Sequence, residues 1–394
     1  MNFRMAIGAA VCGVVLWAAP AQALDEERYL KAREMIAKSI AYLESVQDPE
    51  TGGWAVMPEG RPQFPAITGL VVNGMLMEPD IDASHPSVAR GVEFMLSFRQ
   101  ESGGIYDRVL ANYNTAICLS ALSRVNTPEA ASAIAPAQQF LKGLQWSEDA
   151  LEHPETQQVS AEHPFYGGVG YGSKGRADLS NTSLMLQAMH DSGLDCDDES
   201  FQRALVFLQR VQMHEDVNDM AYAEGSQQGG FIYATSPTAQ QMGVGESKAG
   251  EIQETLSDGT TASRLRAYGS MTYAGFKTYI YADLDRDDLR VRAARAWIGR
   301  NYTLQENPGL GMSGMYYYLV TFSRALDAWG VSGLEVVDAD GSTREVDWAN
   351  DLIDRLAELQ TEDGSFRSVD DRWMENNPVL ITAYALLALQ HAID

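Results

Sequence analysis

Apolar positions along the chain fall into helical blocks that come in pairs. Val92, Phe94, Met95 and Phe98 form one stripe that ends at Gln100; the turn Ser102-Gly103-Gly104 follows, and 113–124 reads as a second helix. The same unit recurs. The first runs from 29 through 75, the third pairs 137–145 with 181–192, and the fourth pairs 201–212 with 268–282. The fifth pairs 289–302 with 315–329, and the sixth pairs 348–360 with 378–391. Second helices are the more apolar: Thr115-Ala116-Ile117-Cys118-Leu119-Ser120-Ala121-Leu122 leaves little room for a solvated face, so such a helix must be buried all round. Two layers follow, with second helices inside and amphipathic first helices outside. Both end units are ordinary members without polar caps, which favours closure into a ring over an open stack.

The punctuation between paired helices is as regular as the helices. Gln47 precedes Gly52-Gly53-Trp54, Gln100 precedes Gly103-Gly104-Ile105-Tyr106, and Gln145 precedes Gly167-Gly168-Val169-Gly170-Tyr171. Gln212 with Gly229-Gly230-Phe231-Ile232-Tyr233 and Gln360 with Asp363-Gly364-Ser365-Phe366 repeat it. Paired glycines permit positive φ and close approach where the chain reverses. The fifth unit departs, with Glu306-Asn307-Pro308-Gly309-Leu310-Gly311 before an inner helix that begins near Tyr316-Tyr317-Tyr318. Two stretches interrupt the rhythm: 234–267, a long polar connection readable as a lid or an excursion, and 333–346, readable as a small hairpin.

Composition places this architecture in a compartment. Arg4, an apolar run from Met5 to about Ala19 and Ala21-Gln22-Ala23 read as a secretory leader over 1–23, leaving one toroid domain over 24–394. The expected location is periplasmic or extracellular, with no integral membrane segment after cleavage. The formal charge of -25 disfavours nucleic acid and anionic membranes. Cys118 and Cys196 allow one disulfide or none.

Alternating helices joined by Gln-x-x-x-Gly-Gly-aromatic turns resemble the terpenoid cyclase and protein prenyltransferase superfamily, including its squalene-cyclase-type repeats. The resemblance spans residues 24–394 and implies an all-α (α/α)6 toroid of six helix pairs around a central cavity. It also implies isoprenoid chemistry. Protonating members carry Asp-x-Asp-Asp-Thr; here Asp178-Leu179-Ser180-Asn181-Thr182 keeps the first Asp and the Thr, with Ser180 at the proton donor's position. Prenyltransferase members bind zinc through Asp, Cys and His, but the Asp-x-Cys pair is missing and the inner helix at Tyr316 has no His. No metal and no cofactor are therefore expected. The acidic run Asp283-Leu284-Asp285-Arg286-Asp287-Asp288 reads as a surface connection whose last aspartates favour the next helix start.

Equivalent repeats bring the inner-helix starts to one mouth of the ring. That places Tyr113, Asn114, Asn181, Tyr268, Tyr273, Tyr316, Tyr317, Tyr318 and Asn377 as candidate ligand-binding residues, with Asp178 as candidate acid or base. Tyr and Asn join apolar surface to hydrogen-bonding tips, suited to a partly polar lipid or a sugar. The expected function is binding of an isoprenoid or other extended ligand in the cavity, with its transformation left open. The alternatives are a noncatalytic scaffold for a protein partner and a glycan-active enzyme.

Overall fold

A helix that is apolar on one face needs a single neighbour, whereas one that is apolar all round needs a shell. The structure, a computed structural model, meets both needs with two concentric rings. It describes residues 24–55, 60–151, 157–172 and 175–394; the leader assigned to 1–23 lies outside the described residues. Outer helices are α1 (Glu26–Ser45), α3 (Pro86–Leu96), α5 (Pro128–Gly143), α7 (Glu199–Val211), α9 (Leu289–Arg300) and α11 (Trp348–Leu359). Inner helices are α2 (Pro65–Met75), α4 (Ala111–Leu122), α6 (Leu179–Asp191), α8 (Gly269–Tyr281), α10 (Met315–Trp329) and α12 (Pro378–Ile393). Each inner helix packs on the next, and α12 returns to α2, so the ring closes. The fold is an all-α (α/α)6 toroid. Every residue of α2 is buried, as is α12 from Leu380 to Ala392, while α7 buries only the face carrying Phe201, Ala204, Phe207 and Leu208.

The recurrent Gln and Gly residues join consecutive units. Gln47 Nε2 donates to Gly52 O in its own turn (2.7 Å) and to Ser87 O in the next outer helix (2.9 Å). Gln145 does the same to Gly167 O and Ser200 O (2.8 and 2.9 Å), and Gln212 to Gly229 O and Arg290 O (2.8 and 2.9 Å). Gln360 reaches Gly364 O (3.2 Å) and Met35 O of α1 (2.9 Å), joining the last unit to the first. The leading glycine of each turn then rests on the next outer helix. A Cβ on Gly167 would lie 1.8 Å from Arg203 O, and one on Gly364 would lie 2.3 Å from Lys38 O; both glycines have positive φ. The second glycine faces an aromatic ring of that helix: Phe94 for Gly53, Phe140 for Gly104, Phe207 for Gly168 and Trp297 for Gly230.

Inner helices are tied to the same turns by threonine. Thr68, Thr115, Thr182, Thr272 and Thr382 hydroxyls accept the backbone N–H of Trp54, Ile105, Val169, Phe231 and Phe366 at 2.9–3.1 Å. Unit two solves the joint differently. Pro136 has no N–H to give Ser132 O, and Arg99 Nη2 takes that carbonyl at 2.8 Å. The proline sits inside α5, which starts at Pro128 behind the Thr127 cap, ahead of the 137 start read from the apolar pattern. The fifth turn leans backwards: Asn307 Oδ1 accepts Ser270 N (3.0 Å) and Pro308 O accepts Gly269 N (2.8 Å), both in α8.

Residues 234–267 contain an antiparallel hairpin, β1 (Glu251–Thr255) with β2 (Thr261–Leu265), held to the fourth turn through Gln228 and Glu254. A second hairpin pairs β3 (Gly333–Val337) with β4 (Thr343–Asp347). Cys118 is buried in α4 and Cys196 lies after α6, and both are free thiols. Asp288 caps α9, with Oδ1 accepting Arg290 N at 2.8 Å. Among the described residues no helix is long and apolar enough to cross a membrane.

The joint between units can be tested at the ring's closure. Gly364→Ala combines left-handed strain with a backbone clash on α1, whereas Gly193→Ala at φ +77° meets only open space. We expect Gly193→Ala to cost about 1–2 kcal/mol in urea unfolding and Gly364→Ala to cost roughly a further 1–3 kcal/mol. Equal losses would show that contact with α1 is not what demands glycine at 364.

Candidate functional site

Six tyrosines converge at the inner-helix starts. Tyr113 from α4, Tyr268 just before α8, Tyr317 from α10 and Tyr384 from α12 meet Tyr171 and Tyr233, the last residues of two Gly-Gly-aromatic turns, around a cavity of about 140 Å³. That is the scale of the roughly 150 Å³ cavities that accept one benzene-sized ring. Leu110, Met271, Trp373 and Met374 add apolar wall, Ser180 and Ser270 add hydroxyls, and no lysine or arginine among the described residues lines it. The Tyr317 hydroxyl pairs with that of Ser180 at 3.0 Å, and the hydroxyls of Tyr113 and Tyr384, like those of Tyr171 and Tyr233, lie near enough to perturb one another. The surface offered inward is therefore mainly ring face.

Two carboxyls stand at this mouth. Asp178 caps α6, accepting Asn181 N at 3.0 Å, while Asn181 Nδ2 donates to both of its oxygens at 3.0 Å. Burial pushes its pKa up to about 6, against the opposing pull of the Asn181 hydrogen bonds, the Arg176 charge and the Tyr233 hydroxyl. Asp178 does not itself line the cavity; Tyr233, which hydrogen bonds to it, does. The Tyr233 ring is held by Lys248 and Arg176 at 4.6 and 5.2 Å from its centre, and Arg176 pairs with Glu246 at 2.7 Å. Glu246 and Lys248 are thus how the 234–267 segment touches the site, although none of its residues lines the cavity.

The second carboxyl, Glu375, lines the cavity directly and is 1% exposed. It accepts the backbone N–H groups of Tyr317 (2.8 Å) and Tyr316 (3.3 Å), so it serves as the acidic cap of α10. Burial outweighs those hydrogen bonds and raises its pKa to about 7. The segment before it is strained: Trp373 and Met374 both have positive φ, as does Leu110 across the mouth. A Cβ on Gly314 would touch the Trp373 ring at 2.9 Å, so glycine there lets the indole sit over the opening.

Of the residues proposed from sequence, Tyr113, Tyr268 and Tyr317 line the cavity. The others lie behind it. Asn114 Oδ1 accepts Ala66 N (3.2 Å), tying α4 to α2; Asn377 caps α12 through Leu380 N (2.9 Å); and Asn181 serves Asp178. Tyr273 and Tyr318 pack with Phe322, and the Tyr316 hydroxyl donates to Arg367 O at 3.1 Å. Tyr171, Tyr233, Tyr384 and Glu375 were not foreseen. For Tyr171 and Tyr233 the signal was present, because both end the recurrent turn.

The raised pKa of Glu375 makes part of the protein's stability depend on pH. Because the folded state holds this proton up to about pH 7 and the unfolded chain loses it near 4.5, this group's contribution to stability is complete below pH 4.5 and is lost as pH rises to 7. Glu375→Gln should remove this share of the slope, at about 1.4 kcal/mol per pH unit, in denaturation curves between those limits. An unchanged slope would place ionised Glu375 in a solvated setting.

No protein-family profile matches this chain, and no curated protein does. Solved structures match over almost its whole length. A variant of the type II terpene cyclase MstE from Scytonema, in complex with geranylgeranyl dihydroxybenzoate, aligns over 94% of this chain and 99% of that one, with TM-score 0.52 and 14% identity. A variant of the α-1,6-mannanase GH76A of Salegentibacter sp. HEL1_6, in complex with α-1,6-mannotriose, aligns over 92% and 99%, with TM-score 0.55 and 10% identity. At such identity the likeness concerns the fold, and the chain is an α/α toroid of the architecture that these terpenoid-cyclising and glycan-active proteins share.

Proposed function

We propose that this is an exported, acid–base toroid that binds the uncharged, oxygen-bearing end of an isoprenoid in its tyrosine cavity. The observation that carries the reading is a nearly inaccessible carboxyl, Glu375, facing an aromatic cavity with no cation among the described residues that line it. Ring faces suit an apolar chain and stabilise developing positive charge, whereas Arg176 and Lys248, the cations over the Tyr233 ring, are already paired with Glu246 and are poorly placed to hold a diphosphate. With a pKa of about 7, Glu375 stays protonated in a useful fraction near neutrality. That acidity matches proton delivery to an epoxide, ether or alcohol oxygen better than to a bare alkene. Asp178, with Tyr233 between it and the cavity, supplies the complementary base. The proton given by Glu375 forms a ligand O–H bond as a C–O bond opens; loss of a carbon-bound proton to Tyr233 and Asp178 completes the exchange.

A glycan reading has one observation behind it. Two carboxyls with raised pKa values also suit glycosidic chemistry. The predominance of aromatic and apolar side chains in the lining argues against it, since a sugar needs many donors and acceptors. Isotope-labelled polyprenyl epoxides, alcohols and diphosphates, run beside α-linked and β-linked oligosaccharides, separate the readings. Turnover is expected for an uncharged polyprenyl compound and none for the diphosphates. Glu375→Gln should keep affinity within a few-fold and lower turnover roughly 100- to 10,000-fold, with Asp178→Asn also lowering it. Release of a reducing sugar, with no binding of any polyprenyl compound, would overturn the isoprenoid reading.

A further inference from the structure

A second pocket, of about 200 Å³, lies where the ring closes, on the face opposite the tyrosine cavity. It is bounded by the ends of α10 and α12, the junction of β4 with α11, and Leu24, the first described residue. Leu326, Val331 and Trp348 supply apolar wall, while Asp327, Asp347 and Asp394 bring three carboxyls. Among the described residues no lysine or arginine lines it. His391, 6% exposed, contacts Asp327 Oδ2 through Nδ1 at 2.7 Å, and its buried Nε2 has no partner. Burial lowers the pKa of His391, so a neutral ring that donates from Nδ1 to Asp327 leaves Nε2 as an acceptor. Asp347 is occupied at α11, where it accepts Asn350 N and Nδ2. Arg28, the cation on neighbouring α1, is committed to Asp25 and Asp354. The pocket thus collects acceptors and carboxyls and lacks a cationic donor.

We propose that the missing cation is the chain's own α-ammonium group, created at Leu24 when residues 1–23 are removed. The inference rests on the export reading given above. Hydrolysis of the Ala23–Leu24 bond places water's hydroxyl on the Ala23 carbonyl and its hydrogen on the Leu24 nitrogen. Below about pH 8 that amine takes up one further proton. The ammonium would then share one pocket with the carboxyls of Asp327, Asp347 and Asp394 and with the unpartnered Nε2 of His391. Removal of the leader would in this way fasten the start of α1 across the seam between the last units and the first. Uncleaved chain carries a neutral amide at the same place and lacks the ion pair. Since a partnered ammonium keeps its proton to higher pH when folded, the added stability is present below about pH 8. It is lost as pH rises through the folded value.

Mass analysis of the protein recovered from the exported fraction tests the export reading, with a first residue of Leu24 expected. The pocket is tested separately on chain released in vitro to begin at Leu24, compared with the same chain acetylated at that amine. Acetylation should lower the unfolding midpoint by about 2 °C at pH 6.5 and have no effect at pH 10. Asp394→Asn should lower it similarly in the free-amine chain and by little more once the amine is acetylated. In NMR titration the α-amino group should lose its proton above the ordinary range of roughly 7.7–8.0. Identical midpoints for free and acetylated chains, or an α-amino group that titrates within that range, would overturn the proposal whatever the export result.

Discussion

The whole structure depends on one buried amide. At the end of most outer helices a glutamine holds its own turn and the next outer helix with the same nitrogen, and a leading glycine brings the two backbones close enough for that reach. A hydrogen bond of this kind contributes only about 1 kcal/mol net, but leaving a buried partner unpaired costs about 1–3 kcal/mol. The penalty enforces register more than the bond supplies stability. Gln360 makes the same bridge to α1, so the repeat closes by the device that propagates it.

The site is a product of that register. Turning every unit in the same sense gathers the inner-helix N-termini at one mouth, where backbone N–H groups await acceptors. Asp178 and Glu375 answer two of them, and their burial raises both pKa values despite those bonds. In the proposed chemistry, capping and proton transfer therefore fall to the same carboxyls. The fifth unit, which drops the glutamine joint and leans back on α8, is where Glu375 enters, from a strained segment of the sixth. Departure from the repeat and placement of this buried carboxyl coincide.

How much of this was legible depended on whether a residue acts through its own unit. Tyr113, Tyr268 and Tyr317 follow from their place at inner-helix starts, because equivalent repeats put equivalent positions on one mouth. Asn114 and Asn377 occupy the same places, yet their side chains turn to backbone groups, since a short amide reaches a helix end more readily than a cavity. Glu375 was not legible. Its partners are the N–H groups of Tyr316 and Tyr317, about sixty residues away in sequence, and nothing in Met374-Glu375-Asn376 announces them.

Sequence alone determined the alternation of half-buried and fully buried helices, the Gln–Gly turns and hence the two-layered toroid, because periodicity and backbone permissiveness are local properties. It also determined that the protonating Asp-x-Asp-Asp-Thr pattern is altered at Ser180. Only the tertiary structure decided which tyrosines show their rings to the cavity, that Asp178 stands behind Tyr233, and that a second carboxyl arrives from the far end of the chain. Those outcomes depend on desolvation and on partners brought together by ring closure. Neither quantity is carried by a residue or its sequence neighbours.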